Sequence, residues 1–249
     1  MTHDAPSPHR PISSVRITTV ALIGVVTAVS VPAVAAAIAV SSPVTDESAS
    51  VPIAATGPIT RVVVLDSESD LTITGDLSAT GASGQAEIQW KGEHGPRPVL
   101  RQSVADGVLT LSKDCSCGGC GPVDIRLRVP RDVSVRAVTS DGRIQVMDVT
   151  GGVDLVSSNG DLEGFGLGAG PASFRTTNGS VHAAFDGAAP SIRLQTTNGD
   201  ADLVTDGRTA YNTTVNSTGD ELKDVENIRD RLSPNVIVVS TTNGKVSVK

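Results

Sequence analysis

From Val133 onward, apolar and polar residues alternate in short bursts, and the bursts return at a near-constant interval. Each burst turns on Asn-Gly or a close relative of it. Gly142, Gly160, Gly179, Gly199, Gly219 and Gly244 are separated by 18, 19, 20, 20 and 25 residues. At position −5 from each glycine stand Ala137, Leu155, Phe174, Leu194, Thr214 and Val239, and at −7 stand Val135, Val153, Ala172, Ile192, Asn212 and Ile237. At +2 come Ile144, Leu162, Val181, Ala201, Glu221 and Val246, while +1 and +3 are nearly all polar. Inward positions are odd before the glycine and even after it, so each unit reads as a strand, a corner and a second strand. Glycine takes a positive-φ corner without steric cost, and Asn or Asp is the next best neighbour.

A repeat of this length predicts an all-β, β-solenoid or β-helix-like stack of coils of about 18–20 residues, with like residues about 4.8 Å apart. The alternative is an antiparallel, hairpin-built β-sandwich with one Asn-Gly per hairpin. Hairpins do not require the same Thr-Thr-Asn-Gly at residues 176–179, 196–199 and 241–244, whereas stacked coils favour it through side-chain ladders. Residues 61–65, 70–75, 85–91 and 123–129 also read as strands, and Asp106-Gly107 as a type I′ hairpin turn. This first half is all β without a visible repeat. Leu222, Val225, Ile228 and Leu232 stand at near-helical spacing, which predicts a short helix over 221–232, stopped by Pro234. Lys245 and Lys249 are expected to blunt the open edge of the last coil.

The N-terminal part changes character. Ile17–Val40 holds no charged residue and would span roughly 36 Å as a helix. Arg10 and Arg16 precede it and Asp46 and Glu47 follow, which orients the N-terminus inward. The expected organisation is a cytoplasmic tail (1–16), a single-pass membrane anchor or uncleaved signal (17–40), a flexible tether (41–58) and an extracytoplasmic β-repeat domain (59–249). A cleaved signal peptide, with small residues around Ala35–Ala37, is the rival and gives the domain the same address.

Composition narrows the function classes. Charged residues make up 19% and aromatics 2%, which suits a narrow interior of small β-formers. Net charge is −7. Without clustered Lys and Arg, a surface for nucleic acid or anionic lipid is not expected.

Candidate chemistry is sparse. Cys115, Cys117 and Cys120 hold every thiol. Outside the cytoplasm they read as a loop disulfide, Cys115–Cys120 or Cys117–Cys120, with one thiol left over; metal ligation by three thiolates and a reactive or intermolecularly paired thiol are the alternatives. Residues 164–170, Gly-Phe-Gly-Leu-Gly-Ala-Gly, lack the βαβ context of a nucleotide loop and read as a flexible loop. Asp141, Asn159, Asn178, Asn198 and Asn243 form a row of oxygens that corner geometry explains without calcium. His94 and His182 have no acid and nucleophile at recognisable spacing. No catalytic residue, metal site or cofactor is expected.

The run Arg128–Val135 followed by Thr139–Val146, Val149–Leu155 and Ser157–Leu162 resembles the bacterial, often actinobacterial, β-strand-repeat envelope proteins known as the "putative adhesin" family. The resemblance covers about residues 60–249 and implies a solenoid-like domain at the cell surface, with no binding residue to carry over. The expected function is a non-catalytic adhesion, scaffold or binding module whose partners are the membrane, through the N-terminal helix, and an envelope protein or glycan. An envelope-stress or signalling accessory with a membrane partner is the alternative, and a hydrolase of envelope polymers a more remote one. Oligomeric state is not legible.

Overall fold

The computed structural model describes residues 46–92, 97–114, 121–218, 222–223 and 229–249. The first strands are β1 (Asp46–Ala55), β2 (Arg61–Leu65), β3 (Leu71–Asp76), β4 (Ala82–Lys91), β5 (Val99–Ala105), β6 (Val108–Asp114) and β7 (Val123–Pro130). Then come β8 (Ser134–Val138), β9 (Ile144–Met147), β10 (Val153–Val156), β11 (Leu162–Leu167), β12 (Ala172–Arg175) and β13 (Val181–Phe185). The last are β14 (Ser191–Asn198), β15 (Ala201–Val204), β16 (Asn212–Ser217), β17 (Leu222–Lys223), β18 (Val236–Asn243) and β19 (Val246–Val248). The described part is all β.

The strands make two mixed sheets, one of ten (β1-β4-β7-β3-β9-β11-β13-β15-β19-β17) and one of nine (β16-β18-β14-β12-β10-β8-β2-β6-β5). From β8 on, successive strands alternate between the sheets, and each pairs in parallel with its counterpart one repeat away, as in Val153↔Val135 and Val181↔Leu162. Each described Asn-Gly therefore joins strands of different sheets, not two arms of a hairpin. The hairpin is elsewhere: β5 and β6 pair antiparallel around Asp106 (φ 50°) and Gly107 (φ 74°).

Spatial order departs from sequence order at both ends. A solenoid in which every coil follows the last is expected from the repeat; the strands instead form the two mixed sheets, in which only β8–β15 follow one another in sequence order. The pair β18–β19 is inserted between β14–β15 and β16–β17, and β2–β3 lie between β6–β7 and β8–β9. Two expectations are corrected by this. The clean copy at Asn243-Gly244 is interior, whereas the worn copy near Gly219 belongs to the edge pair. And β19 is covered by β17, so Lys245 and Lys249 guard no last coil. The first half, which shows no repeat in sequence, supplies β2, β3, β6 and β7 to the same parallel ladders.

Other differences are local. Asp46–Ala55 falls in the segment read as tether, yet it forms β1 against β4, because Ile53 and Ala55 alternate inward under its Ser/Pro composition. Ser217 lies beside Thr241, one residue off the alignment that equates Gly219 with Gly244. Leu222–Lys223 are strand, not helix, and Leu232 is 92% exposed; residues 219–221 and 224–228 lie outside the described residues. Residues 164–167 belong to β11 rather than to a flexible loop. The membrane segment 17–40 lies outside the described residues, among which no helix is long and apolar enough to cross a membrane.

The core fills the space between the sheets. Positions −7 and −5 (Val135, Leu155, Phe174, Ile192, Val239) face position +2 (Ile144, Leu162, Val181, Ala201, Val246), all essentially buried. Volume is balanced between the layers: a Cβ on Gly164 would come within 2.8 Å of the Phe174 ring, so the one large side chain sits over the one missing one.

Candidate functional site

The corners come first, because they hold the most conspicuous polar residues. Asn159 Nδ2 donates to Asp141 Oδ1 (2.9 Å), Asn178 Nδ2 to Asn159 Oδ1 (2.7 Å), Asn198 Nδ2 to Asn178 Oδ1 (2.7 Å) and Asn243 Nδ2 to Asn198 Oδ1 (2.7 Å). This is one directional ladder that begins on an acceptor-only carboxylate. Two residues before Asn178, Asn198 and Asn243 a buried threonine works inward: the hydroxyls of Thr176, Thr196 and Thr241 donate to the carbonyls of Gly160, Gly179 and Gly199. The acidic +1 residues are engaged as well. Asp70, Asp161 and Asp200 each accept, at 2.8 Å, the backbone N–H of the +1 residue on the next level.

The corner glycines are required less by φ than by approach. A Cβ on Gly160, Gly179, Gly199 or Gly244 would stand 1.9–2.2 Å from the carbonyl oxygen of the glycine beneath it. At Gly142 the atom met is the Ser69 carbonyl, at 2.2 Å. Gly219 is outside the described residues. At the level of β2–β3 the ladder is replaced by a buried ion pair. Lys113 Nζ lies 3.3 Å from Asp66 Oδ1 with both side chains 2% exposed, and Asp66 also accepts from Ser67 N, Glu68 N and Ser69 Oγ.

What remains is the outward side chains of the two sheets. On the ten-stranded sheet, Gln145, Glu163, His182, Asp202 and Ser247 share one row across β9, β11, β13, β15 and β19. Gln145 Nε2 donates to Glu163 Oε2 (2.8 Å), and His182 Nδ1 is 2.8 Å from Asp202 Oδ2. Phe165, 37% exposed, lies 5.1 Å from the His182 ring and beside Met147. Sequence reasoning missed the His182–Asp202 pair, since its members are one repeat apart; both stand at +3, which is the signal that could have found it. On its row His182 is flanked by Glu163 and Asp202, and Ser247 lies on the far side of Asp202, so the row sets no hydroxyl beside the histidine. Among the described residues no three His, Cys, Asp or Glu side chains converge as a metal site.

Asp76 and Asp206 are the carboxylates held below their usual range. Hydrogen bonds from Ser78, first its hydroxyl and then its N–H, lower Asp76, and Arg128 adds to the effect. At Asp206 desolvation pushes up but is outweighed by hydrogen bonds from Thr209 Oγ1 and N and from Arg208 N. Asp76 and Arg128 line a cleft of about 340 Å³ with Thr74, Leu77, Arg131 and Asp148; it is open and already ion-paired. Cys115, Cys117, Cys120 and His94 lie outside the described residues.

No family model matches the chain, and no curated protein matches it. Among solved structures it is similar to a "putative cell adhesion protein" of Clostridium sporogenes, at 13% identity and a TM-score of 0.44, covering 82% of this chain and 99% of that one. A "putative adhesin" of Parabacteroides merdae follows at 14% identity, TM-score 0.31, with 81% and 91% covered. A "putative lipid binding protein" of Parabacteroides distasonis is similar at 10% identity and TM-score 0.32, with 82% and 97% covered.

Proposed function

We propose that the chain is a non-catalytic binding module of the bacterial cell envelope, an adhesion or scaffold component held outside the cytoplasmic membrane by residues 17–40. The observation that carries this reading is the division of polar labour in the described part. Corner amides, hydroxyls and carboxylates are committed to the stack, while the two sheet faces present open rows of side chains at strand spacing. Flat repeated faces suit extended partners, and no nucleophile, base and oxyanion site come together on them among the described residues. The uncharged stretch from Ile17 to Val40, with arginines before it and acids after it, supports the anchor and its orientation.

Two measurements test the reading. The full chain, expressed with a C-terminal tag, should fractionate with membranes, and its tag should be cleaved by protease added to intact spheroplasts. In detergent, the same protein should co-sediment with isolated cell-wall sacculi. Recovery in the cytosol, or turnover of the sacculi that one side-chain change abolishes, would overturn it.

A further inference from the structure

We infer that the outer face of the nine-stranded sheet is the docking face, and that its partner is an anionic polysaccharide. The inference rests on the binding-module reading and names the face and the ligand class for it. Among the outward residues of β2, β8, β10, β12, β14, β18 and β16, the charged ones are Arg61, Arg136, Arg175, Arg193 and Asp154. With the paired Arg101 and Asp114 on the edge strands β5 and β6, five cations and two anions give this face +3 in a chain of net charge −7. Averaging over the chain conceals the patch. The acids that set the net charge include Asp141, Asp161 and Asp200 at the corners, and salt screens charge beyond about 8 Å at physiological ionic strength. A ligand lying on the sheet therefore meets the arginines before it meets the net charge.

The register sets the spacing. Arg136, Asp154, Ser173 and Arg193 share one row on β8, β10, β12 and β14, so the two arginines stand about 14 Å apart at strand spacing. Arg175, Gln195, Ser240 and Asn216 make the next row. Asp154 does not cancel the patch. Arg136 NH1 (2.5 Å) and Arg175 NH2 (3.5 Å) converge on its two oxygens, leaving one positive charge in excess, and Arg61 and Arg193 have no ion-pair partner among the described residues. Guanidinium groups bind carboxylate and phosphate in a planar fork. Between them the face offers a hydroxyl on Ser173, an amide on Gln195 and a hydroxyl on Ser240, partners for sugar hydroxyls. A membrane surface would be met by clustered basic residues together with apolar side chains that insert. Here the exposed large apolar residues of the sheet are Leu65, Val236 and, on the edge strand β5, Val99 and Val104, all near its margins rather than among the arginines.

The test uses the full chain immobilised in nonionic detergent, with alginate, dextran and phosphatidylglycerol bicelles as probes. Alginate should bind and dextran should not, and binding should weaken as salt rises. The triple change Arg136→Gln, Arg175→Gln, Arg193→Gln should cost about tenfold or more, with melting temperature as the check on folding. Asp154→Asn frees two guanidinium groups and should tighten binding, an effect that a purely structural role for the cluster would not give. Glu163→Gln with His182→Gln, on the opposite face, should leave alginate binding unchanged. Equal binding of dextran, a triple variant that binds normally, loss of binding in the opposite-face variant, or binding to bicelles alone would overturn the inference. If sacculi are bound but the arginines do not matter, only the face and ligand class fail. If the full chain binds no sacculi, the binding-module reading fails with them.

Discussion

A methyl group on Gly199 would lie 2.1 Å from the Gly179 carbonyl oxygen, and the backbone there has φ +153°. The oxygen belongs to main chain and the methyl carbon is fixed directly to it, so neither yields cheaply. Gly199→Ala should destabilise the protein by about 2 kcal/mol or more, read as a fall in thermal or denaturant midpoint. The repeat made this residue legible and misplaced its cause: positive φ was expected to select glycine, but close stacking does most of the selecting. Asp206 gives a second test, in pH. Its folded-state pKa is depressed, so its hydrogen bonds contribute stability above the unfolded value of about 4, and that contribution disappears as acid titrates the group. Asp206→Asn should therefore lower the melting temperature at neutral pH and have little effect once the pH lies below the depressed folded-state pKa.

Strands show how far a pattern of side chains can be trusted. Alternation located residues 70–75, 85–91, 123–129 and the strands flanking each Asn-Gly between Val133 and Val204, and a short apolar run located 61–65, because period two is the geometry of a half-buried strand. It failed where composition or spacing spoke louder. Residues 46–55 carry Ser, Pro and Ala, and their alternating Val51, Ile53 and Ala55 were hidden by them. Gly164 reads as a breaker in sequence, and in β11 it is the recess under Phe174. Removing that ring should leave an apolar void that the rigid ladders cannot close. Phe174→Ala is expected to cost about 3–5 kcal/mol by chemical denaturation. The His182–Asp202 pair and the arginine rows belong to the same lesson: each is made by residues one repeat apart, so only the register assembles it.

For the molecule as a whole, the order of coils is what sequence could not give. Periodicity states that units stack; it does not state that the last unit slides between two earlier ones. The arrangement places both β2–β3 and β18–β19 inside the stack, so its integrity depends on pairing segments far apart in the chain. In a simple solenoid, losing residues 236–249 would trim one terminal coil. Here it would strip β14 and β15 of one of their two neighbours and detach β16 and β17 from the sheets as well. The truncated chain should lose cooperative unfolding altogether, measurable by calorimetry, instead of melting a few degrees lower.

The asparagine ladder also bears on chemical ageing. In an Asn-Gly step the glycine nitrogen attacks the asparagine Cγ, expels ammonia and forms a succinimide that water opens to aspartate or isoaspartate. The stack restrains that nitrogen: Gly160, Gly179 and Gly199 donate their N–H to the carbonyls of Asn178, Asn198 and Asn243. Among the described residues Gly244 has no such bond, and Asn243 is the end of its ladder there, donating to Asn198 without accepting from a further amide. On prolonged warm storage, peptide mapping should find deamidation first at Asn243, with Asn159, Asn178 and Asn198 lagging. Each event at Asn243 would delete the donor to Asn198 and release the next step, so the protein would record its age from one end of the ladder inward.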